Sequence, residues 1–181
     1  MNTRIDTKSN SLLSVATANI LWVVGGAFFL ALASLCRFEL WISPVPVTAQ
    51  TFAVLMLGAF LGSRKGPIAV LVYLAFSACH MPLFYGILGG ATTGYLIGFV
   101  VAAFFVGSVM EMGAHKSMLY TFLSFIGSGA IILICGTLWL GSLIGFKQAL
   151  AVGLYPFILV DVAKSLIATT ICAARWKLKK S

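Results

Sequence analysis

The chain has 181 residues, of which 61% are hydrophobic and only 9% are charged, and its mean hydropathy is +1.07. A soluble domain carries roughly 25% charged residues, so this composition excludes soluble globular, disordered and disulfide-scaffold proteins. We predict a single integral-membrane domain over residues 1–181. The net charge of +8 suits contact with anionic lipids of the bilayer and does not form the basic stripe of a nucleic-acid-binding module.

Long, nearly uncharged segments alternate with short charged connections along the whole chain. A helix needs about 20 apolar residues to cross the hydrocarbon core. The pattern predicts an all-α, polytopic membrane protein whose six transmembrane helices form one bundle. They cover residues of about 12–36, 50–63, 66–80, 93–111, 117–141 and 156–176, with short tails at about 1–11 and 177–181.

The basic residues predict the orientation of these helices. With six crossings both termini lie on one side, and that side carries nine of the twelve Lys and Arg residues. The other side carries only Arg37 and Lys147, and the twelfth cation is Lys164 inside the last helix. Since Lys and Arg accumulate in cytoplasmic loops, both termini are predicted to be cytoplasmic in a multi-pass protein of the cell membrane. The first apolar run, of about 25 residues, is too long for the roughly 7–15-residue core of a cleaved signal peptide.

A proline-containing loop follows the first predicted helix. Pro44 and Pro46 stiffen it into an extended run, which suits either a lid over a site or a tight connection. The loop also offers the polar side chains of Thr48 and Gln50. Both are candidate ligand contacts on the outer side of the membrane.

The loop before the fourth predicted helix combines small and polar residues, in the order GGATTGY over residues 89–95. Its glycines permit a close approach of the backbone, and the hydroxyl groups of Thr92 and Tyr95 can form hydrogen bonds. Irregular backbone at membrane depth is tolerated where it lines a cavity. Thr92 and Tyr95 are therefore further candidate ligand contacts.

Asp161 and Lys164 are the only charges well inside a predicted crossing. They lie three residues apart and share one helix face. A charge at this depth costs several kcal/mol in contact with lipid, so the pair is expected to face the bundle or a wet cavity. It is either an ion pair that locks the bundle or, as we favour, a polar site in an outward-facing cavity. In the second case Asp161 accepts from N–H groups and Lys164 donates to a carbonyl or carboxylate.

Small residues repeat at four-residue spacing in several predicted helices, as Ala27 and Ala31 do in the first. Residues i and i+4 share a face, and small ones allow another helix to approach closely. This spacing fits packing inside the bundle, or docking against another membrane protein.

Sequence signatures of catalysis and of nucleotide binding are absent. The nearest string to a phosphate-binding loop, Gly113–Ser117, has His115 where the glycine before the lysine is required. There is no HExxH, no GxSxG and no Cys/His metal cluster, and His80 and His115 are predicted on opposite sides of the membrane. We therefore expect that the chain is not an enzyme, that it holds no metal and no cofactor, and that it does not itself bind ATP.

Four motifs together resemble the BioY family, the biotin-specific substrate-binding component of energy-coupling factor transporters. They occur in order and are PVPVTAQ at 44–50, LGAFLGSRKG at 57–66, TGYLIGF at 93–99 and PFILVDVAK at 156–164. The likeness extends from about Ala27 to Ala174. It implies a six-helix bundle that captures biotin from the outer side. It also implies partners, namely a membrane coupling subunit and two cytoplasmic ATPase subunits that use ATP.

The resemblance also implies roles for particular residues. Asp161 and Lys164 map onto the biotin pocket, and the segment 44–50 onto a loop that helps to close it. Ala27 and Ala31 map onto the face that contacts the coupling subunit. Two alternatives stay open, namely the same architecture for another vitamin, and a membrane scaffold in which the Asp161–Lys164 pair is only structural.

Overall fold

The computed structural model describes residues 3–79 and 90–178, most of which are helical. Residues 80–89, which include His80 and most of the predicted third loop, lie outside the described residues. In chain order the helices are α1 (Thr3–Leu35), α2 (Gln50–Ala78), α3 (Thr93–Glu111), α4 (Met118–Ile144), α5 (Phe146–Gly153) and α6 (Tyr155–Leu178). A short antiparallel pair, β1 (Arg37–Phe38) and β2 (Val47–Thr48), lies between α1 and α2, and a 3-10 turn at Ala114–Lys116 precedes α4.

Much of the described chain is apolar enough to lie in a membrane. Five described helical segments have the length and composition to cross it, and they are Val15–Leu35, Gln50–Ala78, Thr93–Glu111, Met118–Ile144 and Phe146–Trp176. Large side chains such as Leu21, Leu138 and Leu159 are more than half exposed on the outer faces of these helices. A soluble protein would bury them, whereas lipid solvates them. The fold is that of an all-α membrane protein.

Helix α2 folds back on itself at Gly62. This residue has φ 79° and ψ −175°, a backbone conformation that glycine adopts without a steric penalty. The side chains of Gln50 and Tyr73 are hydrogen-bonded at 2.8 Å, although a straight helix would hold these positions about 35 Å apart. The helix therefore consists of two antiparallel arms, 50–61 and 63–78. They correspond to the second and third predicted helices, at 50–63 and 66–80.

The last turns of α3 hold this bend. A side chain at Gly107 would collide with the backbone of Gly62 and Ser63, so α3 and the bend are in direct backbone contact. The carboxylate of Glu111 accepts hydrogen bonds from the Ser63 backbone N–H at 2.8 Å and from its hydroxyl at 2.7 Å. It thereby satisfies donors at the start of the second arm that have no partner within the helix.

The remaining helix bounds follow the predictions with small shifts. Helix α3 has the predicted range 93–111, and α4 and α6 agree within a few residues. Helix α1 begins at Thr3, so most of the predicted N-terminal tail is helical, and α6 continues to Leu178 within the predicted C-terminal tail. The short α5 occupies the segment before the last predicted helix.

Ala27 and Ala31 pack inside the bundle. Both are fully buried within the chain, and the neighbouring Gly26 lies so close to α2 that an added Cβ would be 3.0 Å from Ala69 and Leu57. Neither alanine has surface to offer to another protein in this structure. Their burial fits packing between α1 and α2, and the expected contact with a coupling subunit stays a prediction.

Candidate functional site

A cavity of about 300 Å³ lies where the β1–β2 connection, the start of α3, and α4 and α6 meet. This volume is at the lower end of the range of about 300–1,000 Å³ typical of small-molecule sites. All the residues predicted as ligand contacts or as parts of a lid line it, namely Pro44, Pro46, Thr48, Gln50, Thr92, Tyr95, Asp161 and Lys164. The structure thus gathers residues that are up to 120 positions apart in the chain. Their roles in binding stay predictions.

Lys164 connects α6 to the loop that covers the cavity. Its Nζ donates to the Thr48 backbone carbonyl at 2.8 Å and to the Thr51 hydroxyl at 2.6 Å, and it lies 3.3 Å from Oδ1 of Asp161. An ammonium group has three donors, and these three acceptors match them. Lys164 therefore holds β2 and the start of α2 against α6.

Asp161 has one engaged oxygen and one without a partner. Oδ1 pairs with Lys164 and accepts from the Thr51 hydroxyl at 3.4 Å. Oδ2 is buried and has no hydrogen-bond partner among the described residues. A buried acceptor left unsatisfied costs about 1–3 kcal/mol, and such groups call for a functional explanation. A ligand that presents an N–H donor at this oxygen would remove the penalty.

The loop between β1 and β2 folds over the cavity. The strands pair Arg37 with Thr48 and Phe38 with Val47. Next to this pairing, the Ala49 N–H donates to the Cys36 carbonyl at 3.0 Å. Pro44 and Pro46 line the cavity, and Val45 between them is almost fully buried. The loop is placed where a lid would lie, and its role in closing the site stays a prediction.

Gln50 is fixed in the cavity wall by the second arm of α2. Its amide Nε2 donates to the hydroxyl of Tyr73, which is fully buried and does not line the cavity. Removing that hydroxyl would leave a buried amide donor without its partner.

We therefore expect Tyr73→Phe to weaken ligand binding severalfold and to lower stability by about 1–3 kcal/mol, because Gln50 loses its fixed orientation. Calorimetric titration and thermal melting of the purified chain measure the two effects. Tyr120→Phe, at an exposed position on α4, is the matched control and should change neither. Unchanged binding and melting in Tyr73→Phe would mean that the hydrogen bond does not position Gln50.

The hydroxyl of Tyr95 is already occupied by the protein. It donates to the Gly153 carbonyl at 2.7 Å and so connects α3 to the end of α5. Its ring centroid lies 6.3 Å from that of Phe157, and both rings line the cavity. Tyr95 therefore contributes an aromatic wall. Its O–H donor is engaged by the Gly153 carbonyl, its oxygen can still accept a hydrogen bond, and its contact with a ligand stays a prediction.

The start of α3 is held by hydrogen bonds around Gly90. The indole N–H of Trp139 and the hydroxyl of Thr93 each donate to the Gly90 carbonyl at 3.0 Å. A side chain at Gly94 would collide with Trp139 and with the Cys135 carbonyl, so α3 and α4 approach closely here. Thr92 lines the cavity from this fixed segment.

Several residues that line the cavity were not predicted as ligand contacts. They are Ser34, Arg37, Glu39, Thr51, Phe99 and Phe157, among others. The charge of Arg37 was used only to predict the membrane orientation. Arg37 and Glu39 are two opposite charges beside the proline-containing loop, and this pair is a usable signal of a site. The aromatic residues give no such signal, because apolar residues occur throughout the chain.

Together these groups define what the cavity can bind. Its lining includes Asp161, a residue with one unpartnered carboxylate oxygen, a lysine beside it, apolar walls, and the exposed Arg37 at its mouth. This set suits a small molecule with an N–H donor at one end, an apolar body and an anionic group at the other end. Among the side chains of residues 15–79 and 90–176, no three from His, Cys, Asp or Glu are grouped so that they could hold a metal ion.

Comparison with solved structures supports the fold. A crystal structure described as the S-component for biotin from an ECF-type ABC transporter superposes with a TM-score of 0.78. The match covers 93% of this chain and 94% of that one, at 21% sequence identity. A likeness at this level of identity supports the helical architecture.

Curated relatives match over most of their length. A probable biotin transporter BioY from Pyrococcus horikoshii is 36% identical over 80% of this chain and 90% of its own. The biotin transporter BioY from Rhizobium etli is 32% identical over 84% of this chain and 89% of its own. The corresponding protein from Thermotoga maritima is 33% identical over 77% and 88%. The model of the BioY family matches residues 3–181, and the chain therefore belongs to the BioY family.

Proposed function

We propose that this chain takes up biotin as the substrate-binding component of an energy-coupling factor transporter. The observation that carries the proposal is the unpartnered Oδ2 of Asp161, beside Lys164 in a cavity of about 300 Å³. The relatives that carry the name biotin transporter supply the identity of the ligand. Capture of a ligand requires no turnover, so we expect no enzymatic activity.

Biotin has groups that match this cavity from end to end. Its ureido ring carries two N–H donors and a carbonyl, its thioether ring is apolar, and its tail ends in a carboxylate. In the proposed pose Asp161 accepts a ureido N–H, and the ureido carbonyl replaces Asp161 Oδ1, at 3.3 Å the longest of the three contacts of Lys164, as an acceptor of its Nζ. The rings pack against Phe99 and Phe157. The carboxylate then extends to Arg37 at the mouth.

We expect Arg37→Ala to weaken the binding of biotin by up to about tenfold, because an exposed charged hydrogen bond contributes less than a buried one. Binding of biotinamide, which lacks the carboxylate, should be unchanged by the same substitution. Glu39→Gln is the control at the same mouth and should not weaken the binding of biotin. Equal losses for biotin and biotinamide in Arg37→Ala would contradict the proposed direction of the ligand.

We further propose six crossings of the cell membrane, with each arm of α2 counted as one and with both termini in the cytoplasm. The excess of Lys and Arg on the side of the termini supports this orientation. The cavity then opens toward the outer side, where free biotin is captured. A reporter fused to the C-terminus and tested for activity in the cytoplasm checks the orientation.

Energy for release into the cytoplasm is proposed to come from partners, namely a membrane coupling subunit and two ATPase subunits. The chain itself has no phosphate-binding loop. Biotin uptake into proteoliposomes that contain the chain alone, or the chain with the coupling module and ATP, tests this part. Uptake that is equally fast without the module would contradict it.

Binding of biotin to the purified, detergent-solubilised chain is the direct test of the ligand. Calorimetry should detect tight binding of biotin and none of riboflavin or thiamine. Tight binding of another vitamin would replace biotin as the ligand and keep the architecture. If a folded chain binds none of them and no ligand raises its melting temperature, the Asp161–Lys164 pair is a structural element of a scaffold.

A further inference from the structure

A second and larger cavity lies outside the ligand site, as a groove of about 820 Å³ between α1 and the first arm of α2. Its walls are largely apolar and include Leu21, Trp22, Phe29, Met56 and Phe60. Gly25 gives the groove depth, because an added Cβ there would have no neighbour within 4 Å. We call these residues, together with Lys65 and Arg175, the α1–α2 groove.

The length of the groove matches one leaflet of a bilayer. It extends along α1 from Ala18 to Phe29, a distance of about 16 Å at 1.5 Å per residue. The hydrocarbon core of a membrane is about 30 Å thick, so the groove covers half of it. An acyl chain of a single phospholipid has the right length and chemistry to fill this space.

Two cations lie at one end of the groove. Lys65 and Arg175 both line it, and the guanidinium of Arg175 lies 4.6 Å from the centroid of the Phe60 ring. A cation–π contact does not use the N–H groups of the guanidinium as hydrogen-bond donors to an acceptor oxygen, so they remain available. Among the side chains that the structure describes, those of residues 15–79 and 90–176, the one ion pair is that of Asp161 and Lys164, so neither cation is neutralised by a carboxylate there.

We propose that the α1–α2 groove binds one anionic phospholipid. Its acyl chains lie on the apolar walls, and its phosphodiester group accepts hydrogen bonds from Lys65 and Arg175. A helix of a partner protein would have to supply an acidic group at the position of the two cations, whereas an anionic lipid combines both chemistries in one molecule. In the proposed orientation this end faces the cytoplasmic leaflet, where anionic lipids attract basic side chains.

Native mass spectrometry of the purified full chain with added phosphatidylglycerol or phosphatidylcholine tests the proposal. The parent should retain one phosphatidylglycerol with clear preference over phosphatidylcholine. The double variant Lys65→Gln/Arg175→Gln should bind phosphatidylglycerol about tenfold more weakly or worse, with little change for phosphatidylcholine. Gly25→Leu, which fills the groove, should weaken the binding of both lipids.

The matched control is Lys116→Gln/Lys147→Gln, which removes two exposed charges outside the groove and should leave lipid binding as in the parent. Binding of biotin is measured in parallel and should be unchanged in all variants, so the outcome does not depend on the proposed function. Unchanged phosphatidylglycerol binding in Lys65→Gln/Arg175→Gln, or an equal loss in the control pair, overturns the proposal. The proposal is also overturned if the Gly25→Leu variant still binds the lipid but no longer co-purifies with a membrane partner, because the groove is then a protein interface.

Discussion

Asp161→Asn is expected to weaken the binding of biotin about tenfold to over a hundredfold. The substitution replaces the unpartnered acceptor Oδ2 by an amide that can present an N–H to the N–H of the ligand, and it leaves Lys164 without its counter-charge. Losing a hydrogen bond to a charged group costs about 1.5–3 kcal/mol, and a buried charge left unpaired adds to this. Each 1.4 kcal/mol is a factor of ten in affinity. Calorimetric titration of the purified chain measures the change.

The variant Lys164→Ala should weaken the binding of biotin to a similar extent. Besides the loss of the ion pair, it has a second cause of weaker binding. Its Nζ holds the Thr48 carbonyl and the Thr51 hydroxyl, so its removal also frees the lid from α6. Because the two residues act as a unit, the double variant should lose about as much as either single variant. Glu111→Gln, a carboxylate-to-amide change outside the cavity, is the control and should bind biotin normally.

A different result would assign the pair to the architecture of the bundle. If Asp161→Asn binds biotin as the parent does but melts at a lower temperature, Asp161 stabilises α6 and does not contact the ligand. The two measurements together separate the transport proposal from the scaffold alternative, because only the first requires affinity to fall in protein that remains folded.

Asp161 and Lys164 could be predicted from the sequence for a simple physical reason. A charge in an apolar helix is costly, so two of them on one face indicate a site. The break in α2 was predictable as well, since Arg64 and Lys65 interrupt an apolar run. The residue at which the chain turns could not be predicted. The positive φ of Gly62 depends on contact with α3, and any of the 18 glycines in the chain could adopt such a conformation.

The sequence pattern could not predict contacts between segments that are distant in the chain. The hydroxyl of Tyr95 bonds to the carbonyl of Gly153, 58 positions away, and nothing near Tyr95 indicates this. Ala27 and Ala31 pose the same difficulty, since four-residue spacing of small residues fits both internal packing and docking. The burial of these alanines within the same chain fits internal packing, and only an experiment with the partner tests the docking alternative.

Gly107→Ala is expected to be the most destabilising single-methyl change that we propose. An added Cβ would collide with the backbone of Gly62 and Ser63, with the Ser63 Cα only 2.6 Å away. Backbone cannot rotate away as a side chain can, so α3 and the bend of α2 must separate. Overpacking of this kind costs about 1–3 kcal/mol and occasionally more, and the better helix propensity of alanine offsets at most about 1 kcal/mol of it.

For a net cost of about 2 kcal/mol, the melting temperature should fall by roughly 4–8 °C, on the scale of about 2–4 °C per kcal/mol for a chain of this size. Gly25→Ala is the matched control, since its Cβ would enter open space, and its melting temperature should stay the same or rise slightly. Biotin binding should persist in folded Gly107→Ala protein, because Gly107 is 8 residues, or about 12 Å, along α3 from Phe99, the nearest residue of that helix in the cavity wall. If the Gly107→Ala variant has the same melting temperature as the parent, the bend of α2 does not depend on backbone contact with α3. Its stability would then rest on the hydrogen bonds between Glu111 and Ser63, and Glu111→Gln would become the more destabilising change.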